Sequence, residues 1–83
     1  MAKNEELEVK YMRRLRVKEL AEQKGMTQSK LMRVADLNMK TIQGLYREPY
    51  RLNVAYLTLE KVAKALDVRI DELFEEVEEE NNS

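Results

Sequence analysis

Cysteine and histidine are both absent from the 83-residue sequence. Without cysteine the chain can form neither a disulfide framework nor a thiolate zinc site. Without histidine it lacks the commonest general base and the commonest metal ligand. No apolar run approaches the roughly 20 residues that span a bilayer, and the first residues are too acidic for a secretory signal. The missing span and signal predict a cytoplasmic protein. Only carboxylates, lysines and tyrosines remain for chemistry, and the paired acids after Phe74 lie on a solvated end without a cleft. We therefore predict no enzyme, no metal site and no cofactor.

Glycine and proline are scarce, and apolar residues recur at steps of three and four, which is typical of helices with one buried face. Thr27 and Asn38 are predicted N-caps, because their side-chain oxygens can accept from free backbone N–H groups. We predict helices over residues 16–24, from Thr27 to Asp36, from Asn38 to Arg47 and over residues 55–66, then a last apolar turn of Ile70, Leu73 and Phe74. The predicted core comprises Val17, Leu20, Ala21, Leu31, Met32, Ala35, Ile42, Leu45, Tyr56, Leu59, Val62, Ala63 and Leu66.

Residues 11–17 (YMRRLRV) fit two structures. They alternate well enough to form a short strand, which could pair with residues 73–77 and join the two ends of the domain. They could equally extend the first helix backward, and the pattern slightly favours this helix.

The formal charge of −1 is an average over unlike segments. Residues 10–51 hold eleven Lys and Arg against four acids, whereas residues 52–83 hold three against nine. Because charges beyond about 8–10 Å are largely screened at physiological salt, only the local field of the basic segment matters for attracting phosphate. A compact polar helix in that segment can enter a major groove, so double-stranded DNA is the predicted partner.

Four blocks in this order resemble the lambda-repressor-like family of bacterial and phage regulators, also called Cro-like or XRE-type. They are residues 17–28 (VKELAEQKGMTQ), the apolar Leu31, Ile42 and Leu45, residues 59–68 (LEKVAKALDV) and residues 70–74 (IDELF). The similarity covers about residues 16–74. It implies an all-α, compact domain of four to five helices with a helix-turn-helix, with or without a short β pairing of the termini.

In this family the third helix lies in the major groove and the start of the second meets the DNA backbone. The resemblance puts Gln28 at that start, puts Asn38, Met39, Lys40, Gln43 and Gly44 at base-facing positions, and puts Arg47 at the end of the third helix. From the residues themselves, Lys and Gln suit base edges, and a first helical turn suits phosphate. The full predicted DNA-binding set is Thr27, Gln28, Ser29, Lys30, Asn38, Met39, Lys40, Thr41, Gln43, Gly44, Arg47, Tyr50 and Arg51.

Several of these side chains have simpler alternatives. Thr27 could serve as a helix cap alone, and Tyr50 could pack on its own loop. Arg13, Arg14 and Arg16 could form an arm along a groove or could balance the acidic C-terminal segment.

The chain departs from the family pattern at several positions. Met32 is large and Ala35 small where the family has the reverse, which we interpret as an exchange that conserves volume. Asp36, Glu48 and Asp67 replace common glycines, and the bends after the second and fourth helices are expected to be left-handed at Asp36 and Asp67. Glu48, beside Pro49, indicates a different and longer loop.

The predicted organisation is an N-terminal arm or helix extension (1–12), a helix-turn-helix domain (13–76) and an acidic, disordered tail (77–83). We predict a sequence-specific transcriptional regulator, a repressor, encoded by a bacterium or phage and acting at the nucleoid. It would be a homodimer whose seam is the apolar remainder of the fourth helix, the final turn or the N-terminal segment, with Leu57, Phe74 and Val77 as candidate residues. The alternative is an antitoxin-like protein-interaction module whose acidic tail binds a protein partner while the helix-turn-helix serves as a scaffold.

Overall fold

The computed structural model describes residues 11–51 and 53–78. Within them the chain forms strand β1 (Tyr11–Leu15), helices α1 (Val17–Gln23), α2 (Gln28–Ala35), α3 (Met39–Arg47) and α4 (Tyr56–Leu66), a 3-10 turn (Ile70–Leu73) and strand β2 (Phe74–Glu78). The predicted helical domain is thereby confirmed, together with the β pairing of its two ends. None of the helices in these two stretches combines the length and the apolar character that crossing a membrane requires.

α2 packs against α3 and α4, and α1 contacts the same two helices. Their shared core, in the described part of the chain, comprises Leu15, Val17, Leu20, Ala21, Leu31, Ala35, Ile42, Leu45, Leu59, Val62, Ala63, Leu66 and Leu73. The half-buried Met32 packs against this core, so the large Met32 and the small Ala35 share one face as predicted. The prediction was wrong for Tyr56, which is 64% exposed. Tyr56 is the first residue of α4, and the buried stripe of that helix begins one turn later at Leu59.

Both predicted N-caps are confirmed. Thr27 Oγ1 accepts from the Lys30 N–H at 3.1 Å, and Asn38 Oδ1 accepts from the Thr41 N–H at 2.8 Å. Each bond satisfies one of the backbone donors that a helix start leaves without an intrahelical partner. The two caps therefore fix where α2 and α3 begin.

The residues that end α1, α2 and α4 also have the backbone conformation that the sequence predicts. Gly25, just past α1, has a φ of 67°, which suits a residue without a side chain. Asp36 and Asp67, which follow α2 and α4, both have a φ of 59°. The predicted left-handed bends are confirmed at both positions, and aspartate adopts this conformation more readily than most residues.

Residues 11–15 form a strand, so the slight preference for a helix there was wrong. β1 pairs antiparallel with β2, with Leu15 opposite Phe74 and Arg14 opposite Glu75. The Leu15 N–H donates to the Pro49 carbonyl at 2.7 Å and the Arg16 N–H donates to the Leu73 carbonyl at 2.8 Å. Because Leu15 is only 2% exposed, burial of its side chain and these distant backbone partners override the local helical pattern.

The predicted acidic tail begins inside β2, which ends at Glu78. Residues 79–83 lie outside the described part of the chain, as do residues 1–10 of the predicted arm. The three predicted domain boundaries therefore stay predictions.

Candidate nucleic-acid interface

α3 turns one face to the core and the opposite face to solvent. Ile42 and Leu45 are 0% and 5% exposed and anchor the helix. Lys40, Gly44 and Arg47 are all exposed, and their spacing of four and three residues aligns them along the opposite face. These three residues form what we call the outer stripe of α3. The buried face packs the helix against the core, while the outer stripe is open to a partner.

The other predicted base-facing residues flank this stripe. Asn38 is exposed at the start of α3, where its side chain also caps the helix. Thr41 and Gln43 are half-buried, so only parts of their side chains can reach a partner. Met39 packs against the core and is less available than its position in the sequence indicated.

The first turn of α2 presents a second polar surface. Ser29 and Lys30 are exposed and Gln28 is half-buried. The Thr27 hydroxyl is occupied by the Lys30 N–H, so Thr27 acts as a cap whatever else it contacts. No acidic residue lies in this first turn, so no side chain of the turn itself offsets the positive end of the helix dipole.

The loop after α3 holds the remaining predicted contacts. Tyr50 is 47% exposed, so about half of its surface is open to a partner. The exposed Arg51 guanidinium pairs with the Glu48 carboxylate three residues earlier, a contact that sequence reasoning missed. This loop and the start of α4 enclose, with α3, a depression of about 280 Å³ lined by Thr41, Gly44, Leu45, Glu48, Arg51, Asn53, Val54, Ala55 and Thr58.

Two of the N-terminal arginines are engaged by the β pair. The Arg14 guanidinium donates to Glu19 of α1 and, at 3.0 Å, to Glu75 of β2. The hydrogen bond from Arg14 lowers the pKa of the Glu19 carboxyl below its usual value, against an opposing effect of burial. The Arg13 guanidinium lies 5.4 Å from the centre of the Phe74 ring. Arg14 therefore pairs with the acidic C-terminal segment through Glu75, which is one of the two alternatives predicted; the other was an arm along a DNA groove.

A further contact supports the turn between α2 and α3. The Lys61 ammonium of α4 donates to the Asp36 carbonyl at 3.4 Å and lies 3.9 Å from its carboxylate. The turn is therefore tied to α4 as well as to its own helices. Sequence reasoning missed this link, because Lys61 is 25 residues away and reaches Asp36 only in the folded chain.

Residues 11–51 and 53–78 contain no group of three carboxylate side chains placed to hold a metal ion. Their buried positions are all apolar. The surface of α2 and α3 can instead offer cations, amides and hydroxyls to a polyanion.

Comparison with known proteins relates the chain to a protein family and to solved structures. A family model described as the Cro/C1-type helix-turn-helix DNA-binding domain matches residues 16–79. Among solved structures, the chain is similar to the restriction-modification controller protein C.AhdI from Aeromonas hydrophila, with a TM-score of 0.62 and 34% sequence identity. That similarity covers 71% of this chain and 86% of the other. No curated protein matches the sequence.

Proposed function

This chain belongs to the Cro/C1-type helix-turn-helix DNA-binding family, and from that premise we propose that it is a sequence-specific transcriptional repressor. In this proposal α3 lies in the major groove of double-stranded DNA, where side chains can distinguish all four base pairs. A compact domain bound across a promoter excludes other proteins from the same stretch of DNA. The similarity to a restriction-modification controller protein supports a role in gene control.

The observation that carries the proposal is the open outer stripe of α3. Lys40 and Arg47 are exposed, and within the described residues neither side chain forms an ion pair. Two cations aligned on a helix that is anchored from behind fit the negative charge of a groove. The flanking Gln43 can form a bidentate pair with adenine, and Lys40 can donate to guanine.

Contacts to the DNA backbone would orient α3. We assign them to Gln28, Ser29 and Lys30 at the start of α2, and to Arg47, Tyr50 and Arg51 around the loop after α3. Exposed hydroxyls, ammonium groups and guanidinium groups donate readily to phosphate oxygens. Arg51 can leave Glu48 for a phosphate at small cost, because ion pairs between two exposed side chains stabilise a protein by little.

Such modules commonly bind two half-sites as dimers. Of the three residues predicted at the seam, Leu57 is 59% exposed, whereas Phe74 and Val77 are half-buried. Tyr56 beside it is also largely exposed. The first turn of α4 is therefore the apolar surface that we assign to the homodimer seam.

Selection of bound sequences from a random duplex library tests this function. We expect enrichment of one sequence motif, repeated about one helical turn apart if the bound species is a dimer. Recovery of an unenriched library would contradict sequence-specific binding. Capture of a protein partner by a chain that binds no duplex would instead support the antitoxin-like alternative.

A further inference from the structure

Gly44 occupies the centre of the outer stripe, and nothing within the folded chain requires a glycine there. A Cβ built on Gly44 would meet no atom within 4 Å, so no neighbour needs the space. Its φ is not in the left-handed region, unlike that of Gly25. The described fold would accept an alanine at this position without any rearrangement.

A glycine inside a helix is unfavourable to folding. It loses more backbone entropy than any other residue, and only proline is a poorer helix former. Gly44 is the sixth of the nine residues of α3, and its carbonyl accepts from the Glu48 N–H at 2.9 Å. It therefore lies inside the helix and not just past its end, where glycine is favoured. The chain therefore bears a stability penalty at Gly44 that its own packing does not explain.

The position of Gly44 on the exposed face of α3 indicates that a partner, and not the fold, accounts for the glycine. Lys40 precedes it by one turn and Arg47 follows it by one turn, so two long cations flank a short length of bare backbone on the exposed face. On one side this bare segment opens into the depression between α3 and α4. A partner surface could approach the helix axis more closely at Gly44 than at any residue with a side chain.

We infer that Gly44 is a positioning residue that sets how deeply α3 enters the major groove. The inference rests on the proposed function and deepens it. With Gly44 bare, base edges at the groove floor, such as a thymine methyl, can contact the helix backbone while Lys40 and Arg47 reach to either side. A side chain at this position would hold the whole helix away from the floor and lengthen every base contact.

The depth at which α3 enters the groove should strongly affect the affinity for a specific sequence and much less the affinity for random duplex. Contacts to base edges are short-range and need hydrogen-bond distances. Attraction to phosphates is long-range and tolerates a small displacement of the helix. Bulk added at Gly44 should therefore remove the preference for the selected sequence and leave affinity for random duplex nearly intact.

The test uses Gly44→Ala and Gly44→Leu in the full chain, with Gln23→Leu as the control. Gln23 is an exposed, uncharged helical residue outside the proposed contacts. Thermal unfolding of each variant is measured together with its affinity for the selected duplex and for a random duplex. We expect Gly44→Ala to raise Tm by about 4–8 °C, the shift typical of a small domain that gains helix propensity of this size.

We expect Gly44→Ala to weaken binding to the selected duplex by about tenfold and Gly44→Leu by about a hundredfold, which corresponds to about 1.4 kcal/mol per factor of ten. Binding to random duplex should change by less than about threefold, because its phosphate contacts remain. Gln23→Leu should change neither affinity.

Three outcomes would overturn the inference. A fall in Tm for Gly44→Ala would mean that the fold itself needs this glycine. Unchanged affinity for the selected duplex would mean that no partner surface approaches Gly44 closely, and equal losses on both duplexes would place a phosphate there instead of a base. If the unaltered chain binds neither duplex, the proposed function itself fails, and this inference fails with it.

Discussion

Individual side chains on α2 and α3 have different tasks in the proposed complex. Gln43 lies beside the outer stripe and would read a base, whereas Lys30 at the start of α2 would contact phosphate. We predict that Gln43→Ala costs about 1–3 kcal/mol on the selected duplex and relaxes the preference at one base pair, while Lys30→Ala weakens binding to all sequences alike. Titrations of both variants against selected, single-base-substituted and random duplexes check this.

Lys30→Ala serves as the reference for Gln43→Ala in this comparison. If Gln43→Ala reduces affinity for selected and random duplexes by the same factor, Gln43 does not read a base. Gln43 is partly covered by the fold, so the test also asks whether its exposed part is enough to read a base.

The sequence predicts best those residues whose role depends on neighbours a few positions away. The caps at Thr27 and Asn38 act on backbone groups three residues later, so a local pattern suffices to find them. The partial burial of Met39 was not foreseen, and the predicted burial of Tyr56 was wrong. Both depend on how helices meet, which periodicity within one helix does not specify.

At the level of the elements, the left-handed residue after α4 offers a stability test. Asp67 has a φ of 59°, and its N–H donates to the Lys64 carbonyl at 3.1 Å. We predict that Asp67→Val lowers the free energy of unfolding by about 1–2 kcal/mol, because a β-branched residue is strained in this conformation. Asp67→Asn is the control and should be nearly neutral. Urea denaturation of the three proteins measures the difference, and equal midpoints for all three would contradict the account.

The β pair links the two ends of the domain and gives stability a dependence on pH. Because Arg14 lowers the pKa of Glu19, the contribution of this ion pair is present above the usual carboxyl value of 4.5 and is lost as the pH falls through the lowered one. We predict that Glu19→Gln reduces the free energy of unfolding at pH 7 by at most about 1 kcal/mol, since the pair is partly exposed to solvent.

The stability difference between Glu19→Gln and the unaltered chain should shrink in acid, below the usual pKa of Glu19. Denaturation at pH 7 and at pH 3 measures it, with Glu22→Gln on the exposed side of α1 as the control. A difference that is the same at both pH values would show that Glu19 stabilises the fold by packing and not by charge.

The same β pair shows why the secondary structure of residues 11–15 could not be predicted from the local pattern. Its two strands are five residues each and lie at opposite ends of the domain. A pattern of five residues is too short to distinguish a period of two from a helical period. Residues 11–15 form a strand because Leu15 is buried and basic β1 pairs with acidic β2. Both interactions exist only in the folded chain.

For the whole molecule, the seam assigned to the first turn of α4 predicts the state of association. We expect Leu57→Glu to shift a dimer toward monomer, because it places like charges opposite each other across a two-fold interface. Lys64→Glu changes the charge of another exposed residue of α4 and is the control. Sedimentation equilibrium of the three proteins measures the association. A dimer of unchanged stability in Leu57→Glu would exclude this seam.

The sequence indicates which surface is basic and which helical faces are polar, because segment charge and helical periodicity are both local properties. The basic segment between residues 10 and 51 contains α2 and α3 together. The pairing of Arg51 with Glu48 and of Arg14 with Glu75 was not accessible in the same way. These ion pairs occupy cations that could otherwise contact phosphate. A count of charges along the sequence therefore overestimates the number of unpaired cations.

The most direct test of the central claim, that the outer stripe of α3 meets double-stranded DNA, is the affinity for duplex as a function of salt. With about four cations near phosphates, the logarithm of the association constant should fall with the logarithm of salt concentration with a slope of about −3 to −4. Lys40→Glu should remove binding while the fold stays intact, and Lys64→Glu should retain it. No binding of duplex at low salt, or equal losses from the two charge reversals, would contradict the account.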